Sequence, residues 1–133
     1  MVTQDDLESY LIRLDLEHEE IAEGMYLVRS RDEQLPIVVH HSPPLLLMRL
    51  KVMDLPAGVG GREELYRTLL ELNASDVVHG AYGLEGEELV LGLSLQLESL
   101  DYSEFQASLD SLQMAASSHM QTIKTLASAT VEG

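Results

Sequence analysis

Histidine is the residue of this chain best suited to chemistry, because its imidazole can bind a metal or move a proton near neutral pH. The five histidines are His18, His40, His41, His79 and His119. His40 and His41 are adjacent in a predicted strand, where neighbouring side chains point to opposite faces, so they cannot easily share one ion. No histidine begins a His-x-x-x-His motif, and there is no cysteine to complete a zinc site. We therefore expect solvated or hydrogen-bonded structural histidines, with no metal and no cofactor.

A glycine cluster at residues 58–61 precedes a predicted helix, as a phosphate-binding loop would. It lacks both the Lys-Ser/Thr ending and the Gly-x-Gly-x-x-Gly spacing. Glu63 and Glu64 would also oppose an anion in the first turn of that helix. No serine lies in a Gly-x-Ser-x-Gly elbow, and pairs such as Glu87 and Glu88 occur by chance among 23 acidic residues. The sequence predicts a flexible connection here and no enzymatic activity.

Negative charge dominates the composition. The 133 residues include 23 acidic and 8 basic side chains, for a net charge of −15. Such a surface repels phosphate backbones and anionic lipids, so we expect neither nucleic acid nor a membrane as a partner. Residues 1–8 show no signal-peptide pattern, and the apolar run at 45–48 is too short to span a bilayer. We expect a soluble cytoplasmic protein without disulfides.

The elements that must position any site begin with a helix. Thr3 followed by Asp6 resembles a capping box, and apolar residues then recur at helical spacing. The acidic residues at 17–23 lead to Gly24, which we expect to end this helix or to form the turn after it. Later segments predict strands at residues 25–29, 36–41 and 45–55. A helix at 62–74 follows, and then a last hairpin formed by strands at 77–84 and 88–98.

The resulting order, α-β-β-β-α-β-β-α, predicts an α+β fold. We expect a curved antiparallel sheet of about five strands, with helices packed on one face. Residues 1–126 form a single domain in this prediction, and residues 127–133 form a flexible C-terminal tail.

The segment 88–124 gives the clearest pattern. Leucine occupies every second position from Leu89 to Leu97, so these leucines line one face of a strand. Asp101 then begins a helix with an apolar stripe at helical spacing, formed by Phe105, Leu109, Leu112, Ala116, Met120 and Ile123. The pair predicts a one-sided sheet covered by an amphipathic helix.

The other sheet face is predicted to stay open. Arg49 and Lys51 put two of the eight cations on one side of the third strand. Gly92 and Ser94 leave little side chain on the corresponding side of the last strand, and small residues permit close approach by another backbone. The alternatives are a solvated face and a docking surface for a partner segment or a second subunit. The candidate partner-binding or dimer face consists of Leu47, Arg49, Lys51, Val90, Gly92 and Ser94.

Three segments resemble the type III secretion chaperone-like fold, which includes the Tir-type (CesT) chaperones and the YbjN-type regulators. They are the helix end Leu-Leu-Glu-Leu-Asn-Ala at 69–74, the hairpin at 82–91 and Leu-Gln-Leu-Glu-Ser-Leu-Asp at 95–101. In those families the last run often reads Leu-Pro-Leu-Glu-Gly-Leu-Asp, and here Gln96 and Ser99 replace the proline and the glycine. The resemblance is clearest over residues 62–119, and the element order is similar across nearly the whole chain.

The resemblance implies a bacterial, non-enzymatic homodimer that holds an extended segment of another protein, with the cargo backbone pairing at an open sheet edge. The main alternative is a YbjN-type regulatory or stress-linked protein with a folded partner and no secreted cargo. A third is an enzyme or ligand-binding domain that uses the histidines. Because one fold serves many functions, the resemblance alone does not choose among them.

Overall fold

The computed structural model describes residues 1–29, 35–55, 62–77 and 79–132, apart from the side chains of residues 129–132. The helices are α1 (Gln4–Arg13), α2 (Glu63–Ser75) and α3 (Tyr102–Glu132). The strands are β1 (Glu17–Ala22), β2 (Met25–Arg29), β3 (Ile37–Ser42), β4 (Leu45–Asp54), β5 (Ala81–Glu85) and β6 (Glu88–Gln96). The predicted α+β class is confirmed.

The strands form one antiparallel sheet of six, in the order β1-β2-β3-β4-β6-β5. The four strands of the first half meet the last hairpin where β4 pairs with β6. The edges of the sheet are therefore β1 and β5. No described helix is long and apolar enough to cross a membrane.

The strand β1 corrects the prediction that Gly24, after the acidic residues at 17–23, ends the first helix or forms the turn after it. α1 ends at Arg13, and Asp15 has a φ of 56°, which turns the chain away from the helix. His18 then pairs with Val28 and Glu20 with Tyr26 across the β1–β2 ladder. Nearly all β1 side chains are exposed, so the strand shows no alternation of apolar and polar residues. Backbone pairing forms this strand without the signal on which the prediction relied.

The core lies between one face of the sheet and the helices. In β4 the side chains on one face are buried, namely Leu46, Met48, Leu50 and Val52. In β6, Leu89 and Leu91 are buried, and Leu93 and Leu95 are packed against the core as half-buried side chains. The helices complete the same cluster with Leu7, Leu11, Leu65, Leu69, Phe105, Leu109 and Leu112. The predicted one-sided sheet under an amphipathic helix is confirmed.

The predicted capping box also forms. The backbone N–H of Thr3 donates to Asp6 at 2.9 Å, and the N–H of Asp6 donates to the Thr3 hydroxyl at 3.1 Å. The hydrogen bond from the Thr3 backbone is the main reason why the pKa of Asp6 is lowered. The hydrogen bond with the Thr3 side chain lowers this pKa further. The preceding Val2 donates to the carbonyl of Leu97 at 3.0 Å, which ties the start of α1 to the end of β6.

Some predicted segments lie outside the described residues. These are the connections at 30–34 and 56–61, with the glycine cluster at 58–61, and the final Gly133. α3 continues to Glu132 and buries Ala127, so most of the segment assigned to a tail is helical. The division at residue 126 and the flexibility of the tail stay predictions.

Candidate functional site

The β4–β6 ladder brings the six residues of the candidate face together. Its register pairs Leu47 with Ser94, Arg49 with Gly92 and Lys51 with Val90. Residues directly opposite each other in an antiparallel ladder share a sheet face, so the three pairs form one patch. The patch lies on the face of the sheet opposite the buried core. We call this side of the whole sheet the open face.

The open face continues over β2 and β3 with an apolar strip that the sequence analysis missed. Val38 pairs with Arg49 and with Leu27, while His40 pairs with Leu47 and with Met25. The strip consists of the half-buried side chains of Met25, Leu27, Val38 and Leu47. The alternation of side chains along β2 and β3 could have predicted this strip. Tyr26, Val28 and Val39 are buried on the other face, so the residues between them lie on the open face.

The two cations of the candidate face are not isolated charges. Arg49 forms a salt bridge with Glu85 of β5. Lys51 contacts Asp54 at 2.9 Å and Glu88 at 3.4 Å, and the hydrogen bond with Asp54 is the main reason why its pKa is raised. The β6–β5 side of the open face is therefore a border of paired charges. The apolar strip on β2, β3 and β4 is what remains for a partner.

Val90 and Gly92 serve the fold itself. Val90 is 7% exposed. A Cβ built on Gly92 would lie 3.1 Å from the Met48 carbonyl oxygen, and one built on Gly80 would lie 2.6 Å from the Gly92 carbonyl oxygen. The missing side chain at Gly92 thus lets the sheet's own backbone pack closely. Ser94, which is exposed, is the more accessible small residue of the pair.

Four of the five histidines lie in separate hydrogen-bonded positions. His18 Nδ1 is 2.9 Å from the Leu16 carbonyl, His41 Nε2 is 3.0 Å from the Val2 carbonyl, and His79 Nδ1 is 3.1 Å from the Ser111 hydroxyl. Among the described residues, no group of three or more histidines or acids could hold a metal ion. The predicted hydrogen-bonded structural histidines are found.

His119 joins three elements through buried contacts. Its Nε2 lies 3.3 Å from a carboxylate oxygen of Asp76, and its Nδ1 lies 2.8 Å from the Tyr82 hydroxyl. Because a carboxylate only accepts, the N–H at Nε2 donates to Asp76. Burial raises the pKa of Tyr82 to about 12. The contacts fasten β5 to the end of α2 and to α3.

A second apolar surface lies between α2 and β5. It is a pocket of about 160 Å³, lined by Tyr66, Leu69, Leu70, Asn73, Tyr82, Gly83, Leu84 and Leu89. Leu70 and Leu84 at its rim are 68% and 49% exposed. The sequence analysis missed this pocket, which exists only once β5 has packed against α2.

The family of the chain follows from a sequence comparison. The family model CesT_Tir_1 matches residues 2–129. The chain belongs to the CesT_Tir_1 family. The match confirms the predicted resemblance and extends it over both halves of the chain. Among curated proteins, none matches this sequence significantly.

Solved structures show where the CesT_Tir_1 fold of this chain recurs. A chain of the ExoU–SpcU complex from the type III secretion system of Pseudomonas aeruginosa aligns with a TM-score of 0.69 and 15% identity, covering 86% of this chain and 95% of that chain. The candidate transcription regulator YbjN from E. coli aligns with a TM-score of 0.65 and 15% identity, covering 88% of this chain and 90% of that chain. A structure of the Yersinia pestis type III secretion chaperone SycH with a fragment of YscM2 aligns with a TM-score of 0.62 and 19% identity, covering 87% of this chain and 98% of that chain. At these identities the likeness shows a shared fold.

The surfaces of this CesT_Tir_1 chain offer non-covalent contacts. The open face combines an apolar strip with a border of paired charges, and the α2–β5 pocket has exposed leucines at its rim. Exposed apolar groups grouped in this way are typical of surfaces that meet another polypeptide.

Proposed function

We propose that the protein is a non-enzymatic module of the type III secretion chaperone kind, which holds an extended segment of a partner protein on its open face. The observation that carries this proposal is the strip of Met25, Leu27, Val38 and Leu47, which no described helix covers. The helices pack on the opposite face, so the strip gains no shielding from them. Membership of the CesT_Tir_1 family and the likeness to SycH support the same role.

The size of the strip favours an extended partner. Four half-buried side chains give a narrow apolar contact, well short of the roughly 800 Å² per partner that stable interfaces between folded proteins bury. An extended segment gains more from such a surface, because its alternate side chains can contact the strip while its backbone stays free to pair with a strand. The net charge of −15 would keep a module with exposed apolar groups soluble in the cytoplasm, where we place it.

A YbjN-type regulatory role is the second candidate. The structural likeness to YbjN favours it, at a TM-score of 0.65. In that case the partner would be a folded protein, and a short unfolded segment cut from it would not bind. The chaperone role requires the reverse, since the isolated segment would bind as well as the intact partner.

The test of the open face uses a partner encoded near this gene. Candidates would be co-expressed with the chain, and limited proteolysis of the complex would identify the protected segment. Substituting Ser94→Arg places a long cationic side chain beside Leu47, its cross-strand neighbour, and should weaken binding of that segment at least about tenfold by isothermal titration calorimetry. The matched control is Ser117→Arg, at an exposed position of α3.

Two results would contradict the proposal. One is equal affinity of the Ser94→Arg and Ser117→Arg proteins for the protected segment. The other is a chain that forms no complex with any neighbouring gene product. Unfolding midpoints of both variants should match that of the parent, because both serines are exposed.

We further propose a homodimer that is built at the α2–β5 pocket, leaving the open face to the partner. Leu70 projects 68% exposed from α2 beside the pocket that it helps to line. In a two-fold interface the same patch meets itself, so each copy could place Leu70 in the pocket of the other. The pocket volume of about 160 Å³ is adequate for a leucine side chain.

Replacing Leu70 with glutamate should dissociate this dimer. The new carboxylate would have to be buried unpaired against apolar side chains, which costs several kcal/mol. Light scattering after gel filtration should then give the chain mass of 14.8 kDa in place of twice that value. The matched control is Ile12→Glu on α1, since Ile12 is also 68% exposed and lies outside the pocket lining. A dimer that persists in the Leu70→Glu protein, or a monomeric parent, would show that the pocket has another use.

A further inference from the structure

The side chain of His40 lies in the middle of the apolar strip on the open face. Its cross-strand neighbours are Met25 of β2 and Leu47 of β4, and Val38 precedes it by two residues on the same side of β3. Like these three side chains, the imidazole of His40 is half-buried. A ring that can take up a proton thus lies among the apolar groups to which the proposed function assigns the partner contact.

His40 differs from the other histidines in its hydrogen bonding. His18, His41, His79 and His119 each have a ring nitrogen within 3.1 Å of a backbone carbonyl or a hydroxyl oxygen. For His40, no hydrogen bond or ion pair is found within the described part of the chain. Its ring nitrogens are therefore left to solvent until a partner covers the strip.

The charges around His40 do not favour a proton on its ring. The uncharged side chains that lie opposite, diagonal or two residues along the same strand are Met25, Leu27, Leu45, Leu47, Val38 and Ser42. Arg49, also diagonal to His40, is a cation that is paired with Glu85. Within the described ladders no acidic residue lies opposite or diagonal to His40, and Glu23 belongs to the exposed turn that precedes β2.

Covering the strip has a different cost for the two forms of the ring. An extended segment that places apolar side chains over Met25 and Leu47 removes His40 from water. The neutral imidazole has one donor and one acceptor, which backbone C=O and N–H groups of the segment can serve. The imidazolium has two donors and a charge, and burying an unpaired charge costs far more than burying a neutral polar group. The segment therefore binds the neutral form.

We infer that His40 is the specificity-determining residue of the open face, which selects a partner segment with an apolar residue over the ring and releases that segment when the ring takes up a proton. This inference rests on the proposed function and adds the chemistry of the segment and the condition under which it is held. Because proton uptake and segment binding oppose each other, capture is complete near pH 7.5 and weakens as the pH falls. An ordinary histidine, which titrates near pH 6.5, weakens such binding about tenfold between pH 7.5 and pH 5.5.

The test uses a peptide of about nine residues in which leucine alternates with threonine, with an acetylated N-terminus and an amidated C-terminus. The peptide has no titrating group, so any dependence of its binding on pH comes from the protein. Isothermal titration calorimetry should show binding at pH 7.5 and about tenfold weaker binding at pH 5.5. Both values lie above the pI of about 4.4, so the chain keeps a negative net charge in both experiments.

A second peptide tests the apolar residue over the ring. It carries aspartate in place of the central leucine and is otherwise identical. At pH 7.5 it should bind at least about tenfold more weakly than the leucine–threonine peptide, because a carboxylate would be buried beside a neutral imidazole. Tighter or equal binding of the aspartate peptide would mean that the strip recognises an acidic segment, and the inference would be wrong.

The matching variant is His40→Gln, which keeps a polar side chain and removes the titrating ring. It should bind the leucine–threonine peptide equally at pH 7.5 and at pH 5.5. His40→Lys carries a positive charge at both pH values and should bind this peptide weakly at each. The control is His79→Gln, at an exposed position beside Ser111 of α3, and it should keep the tenfold dependence of the parent.

Three results would overturn the inference. One is a pH dependence that persists in the His40→Gln protein or is lost in the His79→Gln protein, because another group would then be responsible. The second is equal binding of the leucine–threonine peptide by the parent at the two pH values. The third is failure of this peptide to bind the parent at pH 7.5.

The inference and the proposed function can fail separately. If Ser94→Arg weakens capture of the protected partner segment and His40→Gln leaves the pH dependence of that capture unchanged, the open face is the binding surface and the inference about His40 is wrong. If the leucine–threonine peptide shows the expected dependence on His40 but Ser94→Arg has no effect on capture, the role proposed for the open face fails instead.

Discussion

Replacing Gly80 with alanine is expected to lower the free energy of unfolding by about 3 kcal/mol. Its φ of 92° lies in the region that disfavours side chains, at a cost of roughly 1–2 kcal/mol. The new Cβ would also lie 2.6 Å from the Gly92 carbonyl oxygen and 3.1 Å from Leu112 Cδ2. The carbonyl belongs to the sheet backbone and cannot rotate away, so relief requires a backbone shift that costs about 1–3 kcal/mol more.

Two other glycines separate these contributions. Gly86 has a φ of 60° with nothing within 4 Å of its Cβ position, so Gly86→Ala should cost only the conformational term of about 1–2 kcal/mol. Gly83 has no positive φ and the same open space, so Gly83→Ala should change stability by less than about 0.5 kcal/mol. Urea unfolding of the three variants gives the comparison. Equal losses in all three would mean that the contact between Gly80 and Gly92 does not matter.

The core was easier to predict than the open face, because the core residues follow a periodic pattern and the close glycine contacts arise only in the folded chain. The leucines from Leu89 to Leu97 and the stripe of α3 each carry a periodic pattern, and burial follows from that pattern. The close contact at Gly92 comes from the Met48 carbonyl oxygen, which is its neighbour only in the folded chain. Sequence spacing predicted that another chain approaches this small residue, and in the structure a backbone of this chain lies close to it.

The paired charges show the same limit. Alternation along β4 put Arg49 and Lys51 on the face away from the core, which the register confirms. Their partners Glu85 and Glu88 lie on β5 and β6, so the pairs depend on the strand order β4-β6-β5. That order is a tertiary property. The sequence therefore predicted the side of the sheet correctly but left these charges without their partners.

β1 was missed for a different physical reason. Residues of an edge strand can be exposed on both faces, and then neither period two nor period 3.6 is visible. β1 is stabilised by its ladder with β2 and by the turn at Gly24, where φ is 74°.

Raising the pH from 10 to 12 is expected to destabilise the fold through Tyr26 and Tyr82. Burial, followed by the hydrogen bond to Glu8, raises the pKa of Tyr26 from 10.0 to about 12, and burial raises the pKa of Tyr82 equally. Below pH 10 both phenols stay protonated in the folded and the unfolded chain, so their contribution to stability is fully present. Between pH 10 and 12 the unfolded chain loses these protons more readily, and stability falls as the pH rises.

Each pKa difference of one unit corresponds to 1.36 kcal/mol, so each tyrosine should account for a loss of about 2 kcal/mol by pH 12. Urea unfolding at several pH values would measure the loss in the parent and in the Tyr26→Phe, Tyr82→Phe and doubly substituted proteins. Each phenylalanine removes hydrogen bonding of the hydroxyl, which lowers stability below pH 10, and it also removes the titrating group itself, which is what changes the slope of stability against pH. The slope above pH 10 should be shallower in each single variant and shallowest in the double variant. Four parallel curves would mean that neither hydroxyl is held protonated by the fold.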